Sequence, residues 1–439
     1  MKRLTLDRIT HVLPQLDELR PVLDHLIARS VPDPEQAWTG GGELGTLGGR
    51  LVSSGDLALD VGGLADALRD HMSKLYAAAA ESIRCLAEGD GAGAAEALLR
   101  AAALEERLDH PDRAEAWAAA AYRAAIDERD RRPVSLALRR WARAASALGK
   151  LVEALDRYEK AHEIARDSRD FQGAAEAAIG AGNVLEQQGN WNDAEVWYRR
   201  ALDVMEAGGR EGPEMWQAQL NIHIVLRSAG SLEESLVWLK AASESAEKLG
   251  DETATQFLEN AWGQLRMASG AFSEAEGHLR AGLSATTDAR ANVTIRLNLA
   301  EALLAQDRTL EAAEEAREAE REAITSGIVP KLPEVYRILG RIVSAEANPD
   351  AFVFFERALD IVRERHLPPL EEALTLQAYA ESEARRGEEG AARELQERMT
   401  ERYHALGMKN IRHSWADTFG PGPDSTERKQ TQHNGEDDV

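Results

Sequence analysis

From about residue 60 to residue 406, apolar side chains return every three or four positions, the period of a helix with one buried face. Single glycines or aspartates cut this pattern at regular intervals. Ala174 to Gly209 shows the unit. A first run contains Gly182 and Leu185 and ends at Gly189; Trp191 follows, and a second run carries Ala194, Tyr198 and Ala201. Small residues where two helices touch, with bulkier ones between, are what a helix–turn–helix unit needs. Turns recur at Gly89, Asp109, Gly149, Gly189, Gly230, Gly270 and Asp307, with later ones near Glu346 and Gly387. After the first, their spacing is close to 40 residues.

The second run repeats most faithfully. Ala154, Tyr158 and Ala161 take the places of Ala194, Tyr198 and Ala201, and Ala114–Trp117 matches Ala194–Trp197. Leu239–Ala242 and Phe355–Ala358 continue the series. In the first run, Ala102, Ala142, Gly182, Gly263, Ala300 and Gly340 stand where a larger side chain would overpack the helix contact. Three residues depart from the pattern: His223 at a small position, and Glu105 and Arg266 where a large apolar residue is usual. The unit from Leu332 to Arg365 reads one residue short at its turn.

These features resemble the tetratricopeptide repeat (TPR) superfamily over roughly residues 75–406, about eight repeats. The period exceeds the plain 34-residue repeat and is similar to the longer-period relatives: kinesin light chain, Pins-type adaptors, and bacterial MalT-like and Rap-like regulators. The resemblance implies an all-α, right-handed superhelical solenoid that binds a protein or peptide in a concave groove lined by the first helix of each pair.

The flanks read differently. Leu6, Ile9, Leu13, Leu16, Leu19, Leu23 and Leu26 predict short or kinked helices over residues 4–29, interrupted by Pro14 and Pro21. Residues 39–63 are glycine-rich, so residues 1–74 form an N-terminal helical region with a loop. Gly40, Gly42 and Gly45 fit G-x-G-x-x-G, but without a preceding strand they make no phosphate cradle. Beyond the solenoid, Ile411, Trp415 and Phe419 suit a capping segment over 407–420, and the polar residues 421–439 are expected to be disordered.

Composition narrows the function. A formal net charge of −24 repels phosphates and argues against nucleic acid as a partner. The single cysteine, Cys85, excludes an intrachain disulfide and a cysteine-cluster metal site. No apolar run is long enough to span a bilayer and no signal peptide is recognised, so no membrane partner and a cytoplasmic location are expected. H-E-x-x-H, G-x-S-x-G and the P-loop pattern are absent, so neither enzyme chemistry nor a cofactor is expected.

By the family resemblance, groove-facing positions hold Asn183, Asn221, Asn260 and Asn298 in four successive repeats. Asparagine is a poor helix former, so its recurrence needs a reason. Its amide both donates and accepts, which suits clamping the backbone of an extended peptide; the alternative is that the amides satisfy one another or turn carbonyls. Arg139 and Arg143 precede this row, Arg337 and Arg341 follow it, and Arg227 is central. Guanidinium pairs at i, i+4 suit carboxylate or phosphate recognition; the alternative is pairing with acids of neighbouring helices. Gln264 belongs to the same set, and Gln187, Phe257 and Ile224 complete the wall. The function expected is a non-catalytic adaptor. The alternative is a regulatory or sensor subunit of a bacterial signalling or defence complex, whose residues 1–63 dock an effector enzyme.

Overall fold

The computed structural model describes residues 61–405, apart from 108, 109, 347, 366 and 368. The helices expected over 4–29, most of the glycine-rich loop, the capping segment and the polar tail lie outside these residues. The described residues hold seventeen α-helices, two short 3-10 turns (Glu252–Ala254 and Val329–Lys331) and no strand. In chain order the helices are α1 (Val61–Glu88), α2 (Gly91–Arg107), α3 (Pro111–Ala125), α4 (Arg132–Ala147), α5 (Leu151–Asp167), α6 (Phe171–Gln187), α7 (Trp191–Ala207), α8 (Pro213–Ser228) and α9 (Leu232–Leu249). They continue with α10 (Thr255–Ala268), α11 (Phe272–Ala285), α12 (Ala289–Leu304), α13 (Thr309–Thr325), α14 (Leu332–Ala345), α15 (Ala351–Glu364), α16 (Pro369–Arg385) and α17 (Glu389–Ala405). Because α1 begins at Val61, the last three residues assigned to the glycine-rich loop are helical; the helix-forming run from Leu64 to Leu68 carries the helix back over two glycines.

Helices α2 to α17 form consecutive hairpins, each a first (A) and a second (B) helix, and α1 packs on α2. The turns share one device. Gly149, Gly189, Gly230, Gly270 and Gly387 have positive φ of 73° to 83°, which closes helix A with a left-handed residue. The next residue then bonds back five positions: Lys150 N to Ala145 O at 2.9 Å, Asn190 N to Leu185 O at 2.9 Å and Ser231 N to Leu226 O at 2.9 Å. That same residue starts helix B, the Lys150 carbonyl accepting from Ala154 N at 2.9 Å. Asp307 does the same work at φ 58°, a conformation that aspartate tolerates better than most residues. The hairpin of α14 and α15 differs, and not by a shorter turn: residues 346–350 separate its helices, against three residues at 188–190.

Helix A approaches helix B most closely at the small positions. A Cβ on Gly182 would sit 2.4 Å from the Tyr198 ring, one on Gly263 2.6 Å from Leu279, and one on Gly340 2.8 Å from Phe355. The exceptions are accommodated by polar pairing. His223, fully buried, turns its Nδ1 to the carbonyl and hydroxyl oxygens of Ser235 at 3.0 and 2.9 Å. Glu105, also buried, takes His110 Nδ1 at 2.9 Å, and Arg266 pairs with Glu274 at 3.2 Å.

The chain divides into two compact units, 1–181 and 182–439. In the first, one core runs from Leu75 to Ala177 around Leu98, Trp117 and Leu138. In the second, separate clusters surround Trp216 and Leu239, and Leu297, Tyr336 and Ala358. Trp117, Trp197 and Trp216 are buried, while Trp141, Trp191, Trp238 and Trp262 are half-buried. Trp141 is held from both sides, giving Nε1–H to Glu115 at 3.2 Å and lying 4.1 Å beneath the Arg157 guanidinium.

Candidate functional site

In the second unit, A helices touch across hairpins: α8 on α10, α10 on α12, α12 on α14 and α14 on α16. Residues at equivalent positions therefore meet. Asn221 Nδ2 donates to Asn183 Oδ1 at 3.1 Å, and Asn298 Nδ2 donates to Asn260 Oδ1 at 2.7 Å. The four amides thus stand as two couples. Their burial deepens along the chain, from exposed Asn183 through half-buried Asn221 and Asn260 to buried Asn298. Each couple uses one donor hydrogen of four and one carbonyl, which leaves amide groups with capacity for a further partner.

A second layer fixes the first couple. Tyr198, fully buried on α7, places its hydroxyl 2.8 Å from Asn183 Oδ1 and 3.0 Å from Glu186 Oε2. Burial pushes the Glu186 carboxyl up, toward the protonated acid, while the Tyr198 hydroxyl and the Arg227 charge pull it back. Burial also pushes the Tyr198 phenol up. Sequence reading identified Tyr198 as a packing residue and passed over Glu186. The available signal was spacing: Glu186 lies three residues after Asn183, on the same side of α6.

The arginines divide into two kinds. Arg139 pairs with Glu176, and Arg143 lies 3.8 Å from Glu106, itself bound by Arg140 at 2.6 Å. Arg337 pairs with Glu371 at 3.0 Å, and Arg341 pairs with Glu301. All four thus meet acids on neighbouring A helices. Arg227 instead donates Nη2–H to the neutral amide oxygen of Gln264 at 3.1 Å. Its Nε is buried with no hydrogen-bond partner. The same is true of Gln219 Oε1 and His223 Nε2, at i−8 and i−4 on α8. Burial, then the nearby Arg227 charge, lower the His223 imidazole to about 4. Of the remaining wall residues, Phe257 is 44% exposed and stacks on Trp216 at 6.1 Å, Gln187 is exposed and Ile224 is half-buried.

Among the described residues no three His, Cys, Asp or Glu side chains gather as a metal site, and no helix is long and apolar enough to cross a membrane. Cys85 is buried, and burial with the nearby Asp90 charge raises its thiol. Among the described residues, the groups brought together here are the asparagine amides, the Gln264 amide and the Arg227 guanidinium.

Residues 134–207 match the tetratricopeptide repeat family model. No curated protein matches the chain. Among solved structures, the chain is similar to a Rap protein complexed with Competence and Sporulation Factor, at 15% identity, covering 78% of this chain and 99% of that one, with a TM-score of 0.55. It is also similar to the Rap conjugation gene regulator of plasmid pLS20 in complex with the Phr* peptide, at 14% identity over 82% of this chain and 93% of that one, TM-score 0.49. A third is the apo form of the quorum sensor NprR from B. thuringiensis, at 13% identity over 92% of this chain and 99% of that one, TM-score 0.46. The family match spans α4 to α7, the same helical hairpin recurs on both sides of it, and the chain shares the all-α fold of the Rap protein.

Proposed function

We propose that the chain is a non-catalytic binding scaffold that holds a peptide or an extended partner segment against its A helices, with Asn183, Asn221, Asn260 and Asn298 gripping backbone. The observation that carries this reading is the amide row itself. Four asparagines on successive A helices meet in two couples and still have donors and acceptors to give. A peptide backbone presents alternating N–H and C=O groups, and primary amides can answer both. The Rap protein with this fold was solved bound to Competence and Sporulation Factor, which supports ligand binding by such a scaffold.

The four ion-paired arginines serve the stack in this reading. Each ties one A helix to a neighbour through a glutamate 34 to 40 residues away in sequence. Arg139 and Arg143 do so in the first unit, Arg337 and Arg341 in the second.

The test is selection from a random displayed-peptide library on the wild-type chain and on a variant carrying alanine at all four asparagines. Peptides enriched on the wild type should bind the variant at least about ten-fold more weakly, with helicity by circular dichroism unchanged. Equal affinity for both proteins would sink the amide-clamp reading.

A further inference from the structure

Resting on the peptide-binding reading above, we infer that the bound segment carries one acidic side chain, Asp or Glu, at an internal position, and that its carboxylate docks on Arg227. Arg227 differs from the other four candidate arginines. Those four have carboxylates within 4.0 Å on neighbouring helices. Among the described residues no carboxylate lies within that distance of Arg227, whose bonded partner is the neutral amide of Gln264. Gln264 holds the guanidinium in place and accepts one hydrogen bond but cannot neutralise it. Glu186 acts on Arg227 only through longer-range attraction. That carboxyl is engaged by the Tyr198 hydroxyl at 3.0 Å.

A guanidinium stays charged at any pH the protein meets. A half-buried charge, with a buried N–H left unbonded, gains from a counter-charge that supplies a charge-assisted bond. In a chain of net charge −24, a positive group without an adjacent acid is also a point where the protein's own field gives way to attraction for an anion.

Sequence placement makes the acidic residue internal. Arg227 lies on α8, six residues after Asn221, and its partner Gln264 lies on α10, four residues after Asn260. The guanidinium therefore bridges the helix that ends the Asn183–Asn221 couple and the helix that begins the Asn260–Asn298 couple. Backbone held by both couples continues on either side of Arg227. A terminal carboxylate at that point would leave one couple without backbone to hold.

The experiment extends the displayed-peptide selection. Enriched sequences are resynthesised in three forms: the parent peptide, the peptide with its acidic residue changed to the amide, and the peptide with an amidated C-terminus. On the wild type, the Asp→Asn or Glu→Gln form should bind about ten-fold or more weaker, and C-terminal amidation should change little. On Arg227→Gln the parent and side-chain amide forms should bind alike, while Arg337→Gln should keep the preference. Three results would overturn the inference while leaving peptide binding intact: enrichment without acidic residues, equal affinity of parent and side-chain amide forms on the wild type, or dependence on the C-terminal carboxylate. Enrichment of no peptide at all would overturn the binding reading and this inference with it. The comparison of peptide forms on the wild type needs no variant to fold.

Discussion

His223 takes a position where other hairpins carry glycine or alanine, and it is kept there as a neutral ring. Its Nδ1 faces the Ser235 carbonyl, so Nδ1 carries the proton and Nε2 is a bare acceptor. Burial and the neighbouring Arg227 charge hold the imidazole at about 4 in the folded chain. The unfolded ring titrates near its ordinary value of about 6.5. The unfolded state therefore binds the proton first as pH falls, and stability drops between those values. From pH 7 to pH 5 the loss from this residue is about 2 kcal/mol. Urea unfolding at both pH values should show that loss for the wild type, and a smaller one for His223→Gln. A parallel decline in both proteins would assign the acid sensitivity elsewhere. The effect belongs to the fold and is separate from the charge on Arg227, which does not titrate in this range.

At the level of the hairpin, stability rests on close approach rather than on helix propensity. Gly182 and Gly277 both lie inside helices, where glycine costs roughly 1 kcal/mol relative to alanine. Gly277 on α11 has nothing within 4 Å of an added Cβ. Gly277→Ala should therefore raise stability by about 0.5–1 kcal/mol. At Gly182 the added atom would sit 2.4 Å from the Tyr198 ring, which is fully buried and anchored at its hydroxyl. Gly182→Ala should lower stability by about 1–3 kcal/mol, so thermal midpoints of the two variants should move in opposite directions. The turns and the close contacts were legible in the chain because the features are local: a glycine at most turns, a small residue before each large one. Asp307 was readable as a turn for the same reason. The arginine partners were not legible, since Glu176, Glu301 and Glu371 lie a whole repeat away and any of several acids could have served. Nor was the coupling of the asparagines two by two, which depends on how adjacent A helices stack. Residue type and spacing suggested a row; only the packing separated Arg227 from the arginines that the scaffold itself uses.

Across the molecule, each hairpin packs chiefly on its neighbours, so stability is a sum of local contacts and interfaces. A core lesson should therefore stay near its source. Trp117, 2% exposed at the centre of the Leu75–Ala177 cluster, is suited to the test. Trp117→Ala should cost about 3–5 kcal/mol within that cluster. Hydrogen exchange should quicken through α2–α4 and stay unchanged in α12–α14; uniform quickening would mean that the chain unfolds as one unit. The turn device carries this locality into the chain's history. A left-handed residue and a bond back five positions end one helix and launch the next without help from distant sequence. A stretch of about 40 residues is thus a self-contained cassette. Unequal recombination can copy or excise one, and the cassettes on either side keep their own register. Under the proposed binding role, capacity for a longer or shorter ligand would change by whole cassettes, with point mutation left to adjust the chemistry at single positions such as 227.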